Sequence, residues 1–230
     1  MDISVIGSIK KNILSWLCIF ISVSIVSYPY ISMGLLTFIM LLFYSYFIHY
    51  IAHNIRNVFT IIHHYHHENN NFFAHISQIL LEISFPSALI PIYVLYDTIF
   101  LNPWVIGLYG FFYTTVHNYN YSILKVNNVH SRHHKNIFTN IGPDICDVMF
   151  NTKNEEDTTP ENTNHYIPNV IIGTIIVLTL KYFCQNQTVK TILIDILIFF
   201  LIFSLLFLFL SALYLNYFYE KKELEDCDME

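Results

Sequence analysis

Nine histidines lie in spaced groups along this chain: His49 and His53, then His63, His66 and His67, then His117, and last His130, His133 and His134. His49 and His53 are four apart, so on a helix both imidazoles reach one point. Taken alone, that pair reads equally as the polar end of an apolar helix. The run His63-His64-Tyr65-His66-His67 is sharper, because His63, His66 and His67 share a helix face and His64 points elsewhere. His130-Ser131-Arg132-His133-His134 repeats its spacing: a histidine, two residues, two histidines. Neutral imidazole suits zinc, copper, iron or nickel. A structural zinc site takes four ligands, commonly with cysteine. The cysteines here, Cys18, Cys146, Cys184 and Cys227, form no CxxC pair. Nine histidines exceed one zinc site and fit two metal ions, each with several nitrogens and an open position. Two irons so held can bind and reduce O2.

The elements that carry these groups are apolar. Hydrophobic residues make up 54% of the 230 residues and charged residues 12%. A soluble domain carries roughly 25% charged residues. With a mean hydropathy of +0.47, the chain reads as an integral membrane protein. Its net charge of −6, owed largely to the tail Glu220 to Glu230, does not point to a nucleic-acid partner, which would favour a basic face.

Apolar runs come in pairs. Ile13 to Val26 and Ile31 to Tyr50 form a first hairpin around Tyr28-Pro29-Tyr30. Ile76 to Leu95 and Ile99 to Val116 form a second, broken by Asp97 and Asn102-Pro103 and marred by Glu82, Pro86 and Pro91. Val170 to Phe183 and Thr191 to Tyr217 form a third, whose first member is short. A span needs about 20 apolar residues. Polar blocks carrying histidines follow the second and fourth runs. If each run crosses once, Lys10, Lys11, Arg56, Lys125, Arg132, Lys135, Lys153, Lys221 and Lys222 fall on one side. The positive-inside rule makes that side cytoplasmic, and every histidine group falls there too. Asn186-Gln187-Thr188 is a glycosylation pattern on the other side.

The order HxxxH, HxxHH, a lone histidine, then HxxHH resembles the fatty acid hydroxylase superfamily, which includes sterol desaturases, methylsterol oxidases and lipid hydroxylases. Asn140-Ile141-Gly142 followed by Asp147-Val148-Met149-Phe150-Asn151-Thr152 is similar to that family's N-x-G and D-x-x-F-x-T signature. The match covers about Phe47 to Lys153. The resemblance implies a membrane-bound non-haem di-iron oxidoreductase using O2, a lipid substrate and an external electron donor of the cytochrome b5 and reductase type. It carries His49, His53, His63, His66, His67, His117, His130, His133 and His134 over as metal ligands. The chain departs from the family at Tyr121, where many members have a further histidine; Asn118, Asn120 or a water then completes the shell. Asp144, Asp147, Asn120 and Tyr121 are candidates to hydrogen-bond the ligands. His64, His75 and His165 are expected outside the site.

The expected architecture is all-α: four core spans in two hairpins, two further C-terminal spans and a cytoplasmic cap of short helices bearing the histidines. Residues 1–166 form the di-iron membrane domain, 167–219 an additional hairpin, and 220–230 an acidic tail. The expected location is the endoplasmic reticulum membrane. A degenerate membrane scaffold or metal-binding protein is the alternative. A divalent-metal transporter would need ligands near the bilayer midplane, and these histidines sit at span ends.

Overall fold

A computed structural model describes residues 3–57, 60–69, 71–87 and 101–227. All regular structure among the described residues is helical. Helix α1, Val5–Lys11, starts on Ser4, whose hydroxyl accepts from the Gly7 amide, and ends at Asn12. Helix α2, Ile13–Ser27, leaves Asn12 at an angle of 81° to α1. Asn12 is fixed at this corner because its side-chain amide donates to the Glu161 carbonyl and accepts from the Thr163 amide. Helix α3, Ile31–Asn54, returns alongside α2. The two approach so closely at Gly34 that a Cβ there would lie 2.3 Å from the Cβ of Ser27. At about 1.5 Å per residue, α3 is roughly 36 Å long. That is enough to cross the ~30 Å hydrocarbon thickness of a bilayer, and His49 and His53 lie in its last two turns.

Helix α4, Ile61–Glu68, carries the first HxxHH group, and α5, Phe72–Ser87, packs against it. Helix α6, Pro103–Thr115, is started by Asn102, which accepts from the Trp104 and Val105 amides, with proline in the first turn. It passes without a break into a π-helix, Val116–Ile123. Short helices α7, Val129–Lys135, and α8, Asp144–Met149, follow. A 3-10 turn, Thr163–Tyr166, leads into α9, Ile167–Phe183, and the long α10, Gln187–Cys227, ends the described chain.

The core is built from α2, α3, α6 and α9, with Val23, Val26, Phe38, Leu41, Ile106, Tyr109, Phe112 and Val170 buried together. Among the described residues, three helical segments are long and apolar enough to cross a membrane: Ile31–Asn54, Thr163–Phe183 and Gln187–Tyr219. The bent pair α1 and α2 makes a fourth if counted as one. Six crossings were expected. In the second hairpin α5 is described as far as Ser87, and α6 runs on into the π-helix Val116–Ile123. Residues 88–100, with the expected turn at Asp97, lie outside the described residues. The C-terminal pair is stronger than expected. Helix α9 packs on α2 and α6, whereas α10 packs on α4 and α5. Helix α10 leaves Ile196, Phe199, Ile202 and Phe203 more than half exposed, an apolar surface that suits lipid.

One contact of α10 matters for the site. Ile61 and Ile62 on the outer face of α4 are buried with Leu208, Ala212 and Leu215. That packing turns the histidine face of α4 inward. Arg56, just after α3, lies over the Tyr219 ring at 4.6 Å, and the Tyr219 hydroxyl donates to Glu68 at the end of α4, so both are tied to the same helix.

Candidate metal centre

The structure brings all nine predicted histidines into one buried region and divides them into two groups. The Nε2 atoms of His49, His53, His63, His67 and His133 form a chain. His49 to His133, His133 to His53, His53 to His63 and His63 to His67 are each 3.2 Å apart. His66, His117 and His130 hold the second group, their ligand nitrogens within 4.8 Å of one another. His134 joins it through a 2.9 Å contact to His130.

The division has a simple helical logic. In the first HxxHH run, His63 and His67 serve the first group and His66 the second. In the other run the sense is reversed: His130 and His134 serve the second group and His133 the first. Each run therefore sends an i,i+4 pair to one centre and the intervening i+3 histidine to the other. The groups touch, with the His67 and His134 rings 4.2 Å apart.

These nitrogens cannot all be satisfied by one another. A neutral imidazole nitrogen either donates or accepts, and Nε2 of His53 faces two others. The Nδ1 atoms of His49, His53 and His67, both nitrogens of His66 and Nε2 of His117 are buried without a partner. A cation resolves the problem. For a metal–nitrogen distance of about 2.1 Å, nitrogens 3.2 Å apart subtend roughly 100° at the ion, between octahedral and tetrahedral values. The donor set, all neutral nitrogen, suits iron, copper, nickel or zinc.

Burial keeps the imidazoles neutral, which leaves their lone pairs free. Desolvation first, and then the mutual repulsion of neighbouring histidines, lowers His66 to about 2, His133 to about 3 and His134 to about 4. The same causes carry His63, His67 and His130 well below the ordinary value.

Hydrogen bonds at the far nitrogens orient several rings. His133 donates from Nδ1 to the Thr139 carbonyl at 2.8 Å. His63 donates from Nδ1 to Gln78 Oε1 at 3.2 Å, and His117 donates from Nδ1 to Glu82. Gln78 Nε2 donates to Glu82 at 2.8 Å, and Asn118 Nδ2 donates to its other oxygen at 2.6 Å. Sequence reading treated Glu82 only as a flaw in an apolar run and did not single out Gln78. The available signal was a carboxylate in that run with a glutamine four residues earlier, on the same helix face.

Four sequence candidates occupy other roles. Asp144 and Asp147 were expected to hydrogen-bond ligand histidines; among the described residues they do not. Asp144 accepts from Ser8, Lys153 and the Glu161 amide. Asp147 accepts from the Gly142 amide and the Thr152 hydroxyl, both at 2.8 Å. The Asn140 amide closes this loop on the Thr152 carbonyl, and Phe150 stacks on Tyr46 with centroids 4.9 Å apart. Gly142 has φ +72°, a conformation that glycine adopts at no steric cost. The signature residues thus build the loop that presents Thr139 to His133. Asn120 also turns away, donating to the His165 carbonyl and to Asn169.

Tyr121 is the fourth. Its hydroxyl donates to Glu161 at 2.6 Å and meets Tyr166, while its ring stacks on His130 at 5.7 Å and 17°. The reason is local: the segment is a π-helix, with Leu124 N bonded to Tyr119 O, i to i+5. The wider turn breaks the α-helical register that would place residue 121 over residue 117. The second group thus holds four imidazoles and the first five. Of the remaining histidines, His64 joins neither group, His75 lies 5.8 Å from the His66 ring, and His165 donates to the Asn162 carbonyl.

Space adjoins the site on two chemically different sides. A cavity of about 90 Å³ runs from Trp16, Ile19, Phe38, Leu42 and Phe112 to His49, His117, His130 and His133. A second, of about 180 Å³, reaches His49 and His63 past Leu41, Ile48 and Leu81. A polar opening lined by Lys125, Asn127 and Asn128 reaches His66, His67, His130 and His134. None of the family models, curated proteins or solved structures compared with the chain matches it.

Proposed function

We propose that this chain is an integral membrane, non-haem di-iron oxidoreductase that uses O2 to hydroxylate or desaturate a lipid, either a fatty acyl chain or a sterol. The observation that carries the reading is the convergence of nine imidazoles in two groups against an apolar cavity. His49, His53, His63, His67 and His133 would hold one iron, and His66, His117, His130 and His134 the other. Iron bound there would supply O2 reduction and C–H oxidation. The chain's own residues do the rest. Trp16, Phe38, Leu42 and Phe112 hold an alkyl or ring carbon and exclude water. Thr139, Gln78 and Glu82 fix ring orientation so that Nε2 faces the site. The polar opening beside His66 and His134 gives protons and electrons a route separate from the lipid's.

The resemblance in histidine spacing supports the same family of reactions, with an electron donor of the cytochrome b5 and reductase type. The distribution of Lys and Arg supports a cytoplasmic site, and the membrane proposed for it is that of the endoplasmic reticulum. Mass spectrometry of lipids from cells expressing the wild type or His133→Ala at equal levels tests the reading. A hydroxylated or desaturated lipid is expected only with the wild type. Identical profiles would favour a scaffold.

A further inference from the structure

The two histidine groups are joined behind the site by one face of α5. Gln78 and Glu82 are four residues apart on that helix and both are buried. Gln78 Oε1 accepts from Nδ1 of His63, a member of the first group. Its Nε2 then donates to Glu82 Oε1 at 2.8 Å. Glu82 accepts in turn from Nδ1 of His117, in the second group, and from Asn118. Three donors converge on the two Glu82 oxygens, the arrangement of an acceptor-only carboxylate.

Each bond dictates the next. Glu82 can only accept, so His117 carries its proton on Nδ1 and its unpartnered Nε2 is the lone pair facing the site. The same carboxylate fixes the amide of Gln78 with its nitrogen toward Glu82 and its oxygen toward His63. That oxygen holds the His63 proton on Nδ1 and frees Nε2. One side-chain relay therefore sets the tautomer of one ligand in each centre. Glu82 also brings a negative charge next to a ligand set that is otherwise neutral.

We propose that Gln78 and Glu82 are positioning residues that couple the two centres, so that disturbing either one weakens both metal sites. The proposal rests on the reading that these histidines bind metal, but not on the identity of the lipid or on iron. Partners of this kind are commonly worth 10- to 100-fold in metal affinity.

Cobalt(II) titration of the full-length, metal-stripped protein in detergent tests it, read by the ligand-field bands and by equilibrium affinity. Wild type is expected to take up two equivalents. Gln78→Leu, which among the ligand histidines loses a bond only to His63, is expected to weaken both binding steps by tenfold or more and to shift the bands of both. Glu82→Gln, which among the ligand histidines changes a bond only to His117, is expected to do the same. Gln78→Met serves if the leucine variant does not fold, as judged by circular dichroism. If either variant leaves one of its two steps at wild-type affinity and spectrum, the coupling is overturned and that residue serves only its own histidine. If wild type itself binds no cobalt, the metal-site reading fails instead.

Discussion

Acid should unfold the metal-free protein, and the structure gives the size of the effect. His63, His66, His67, His130, His133 and His134 are all held neutral by burial and by one another, with His66, His133 and His134 lowered to about 2, 3 and 4. In the unfolded chain each returns to about 6.5. The folded pKa is below the unfolded one, so the unfolded state binds more protons under mild acid. Stability is therefore intact above pH 6.5 and is lost as pH falls below it, down to the folded values. Between pH 6.5 and 5.5 each histidine costs roughly 1 kcal/mol, or about 6 kcal/mol for the set. Two carboxyls act in the opposite sense. Burial raises Asp147 and Glu161 to about 7, so the folded state binds their protons more tightly, and each returns roughly 1 kcal/mol over the same interval. The net loss is about 4 kcal/mol, a large part of a typical folding free energy of about 5–15 kcal/mol. It corresponds to a fall of roughly 10 °C in Tm. Thermal melts of chelator-treated protein in detergent at pH 6.5 and 5.5, followed by circular dichroism, measure it. Metal-loaded protein should resist the same step, because the ion occupies the lone pairs that would take up protons. Equal midpoints at the two pH values without metal would refute the claim that these imidazoles are buried and neutral.

Three further outcomes follow from the packing and the hydrogen bonds. Gly34→Ala places a Cβ 2.3 Å from Ser27 and should destabilise the α2–α3 hairpin by about 1–3 kcal/mol, seen as a lower thermal midpoint. Thr152→Val removes the hydroxyl that donates to Asp147 and should cost about 1–2 kcal/mol; because that loop presents Thr139 to His133, metal affinity measured by titration should fall with it. Tyr121→Phe keeps the ring stacked on His130 but loses the hydroxyl bond to Glu161, so metal content by elemental analysis should be unchanged; a loss of one ion would make the phenol a ligand.

The histidines were legible because their spacing matches helix geometry, and all nine meet. Which centre each one serves was not legible: His66 and His67 are adjacent in sequence yet face different groups, a result of how α4 is rotated by Ile61 and Ile62 against α10. The role of Tyr121 was misjudged because α-helical register was assumed where the chain forms a π-helix. Asp144 and Asp147 were placed beside the histidines on sequence proximity, whereas their partners Ser8, Lys153, Gly142 and Thr152 are set by the fold. Hydropathy pointed to apolar helices long enough to cross a membrane, and the regular structure of the described residues is all helical. It undervalued α9, which gains a turn from Thr163–Tyr166. Gln78 and Glu82 were missed for a related reason: a polar residue in an apolar run looks like a defect until its partner on another helix is known.

Elemental analysis of the purified full-length protein, expressed with iron available, tests the central claim most directly. The account expects about two iron ions per chain, falling to about one in His53→Ala, where the first group loses the nitrogen that faces both His63 and His133. Metal-free protein with all nine histidines intact and correctly folded would contradict it.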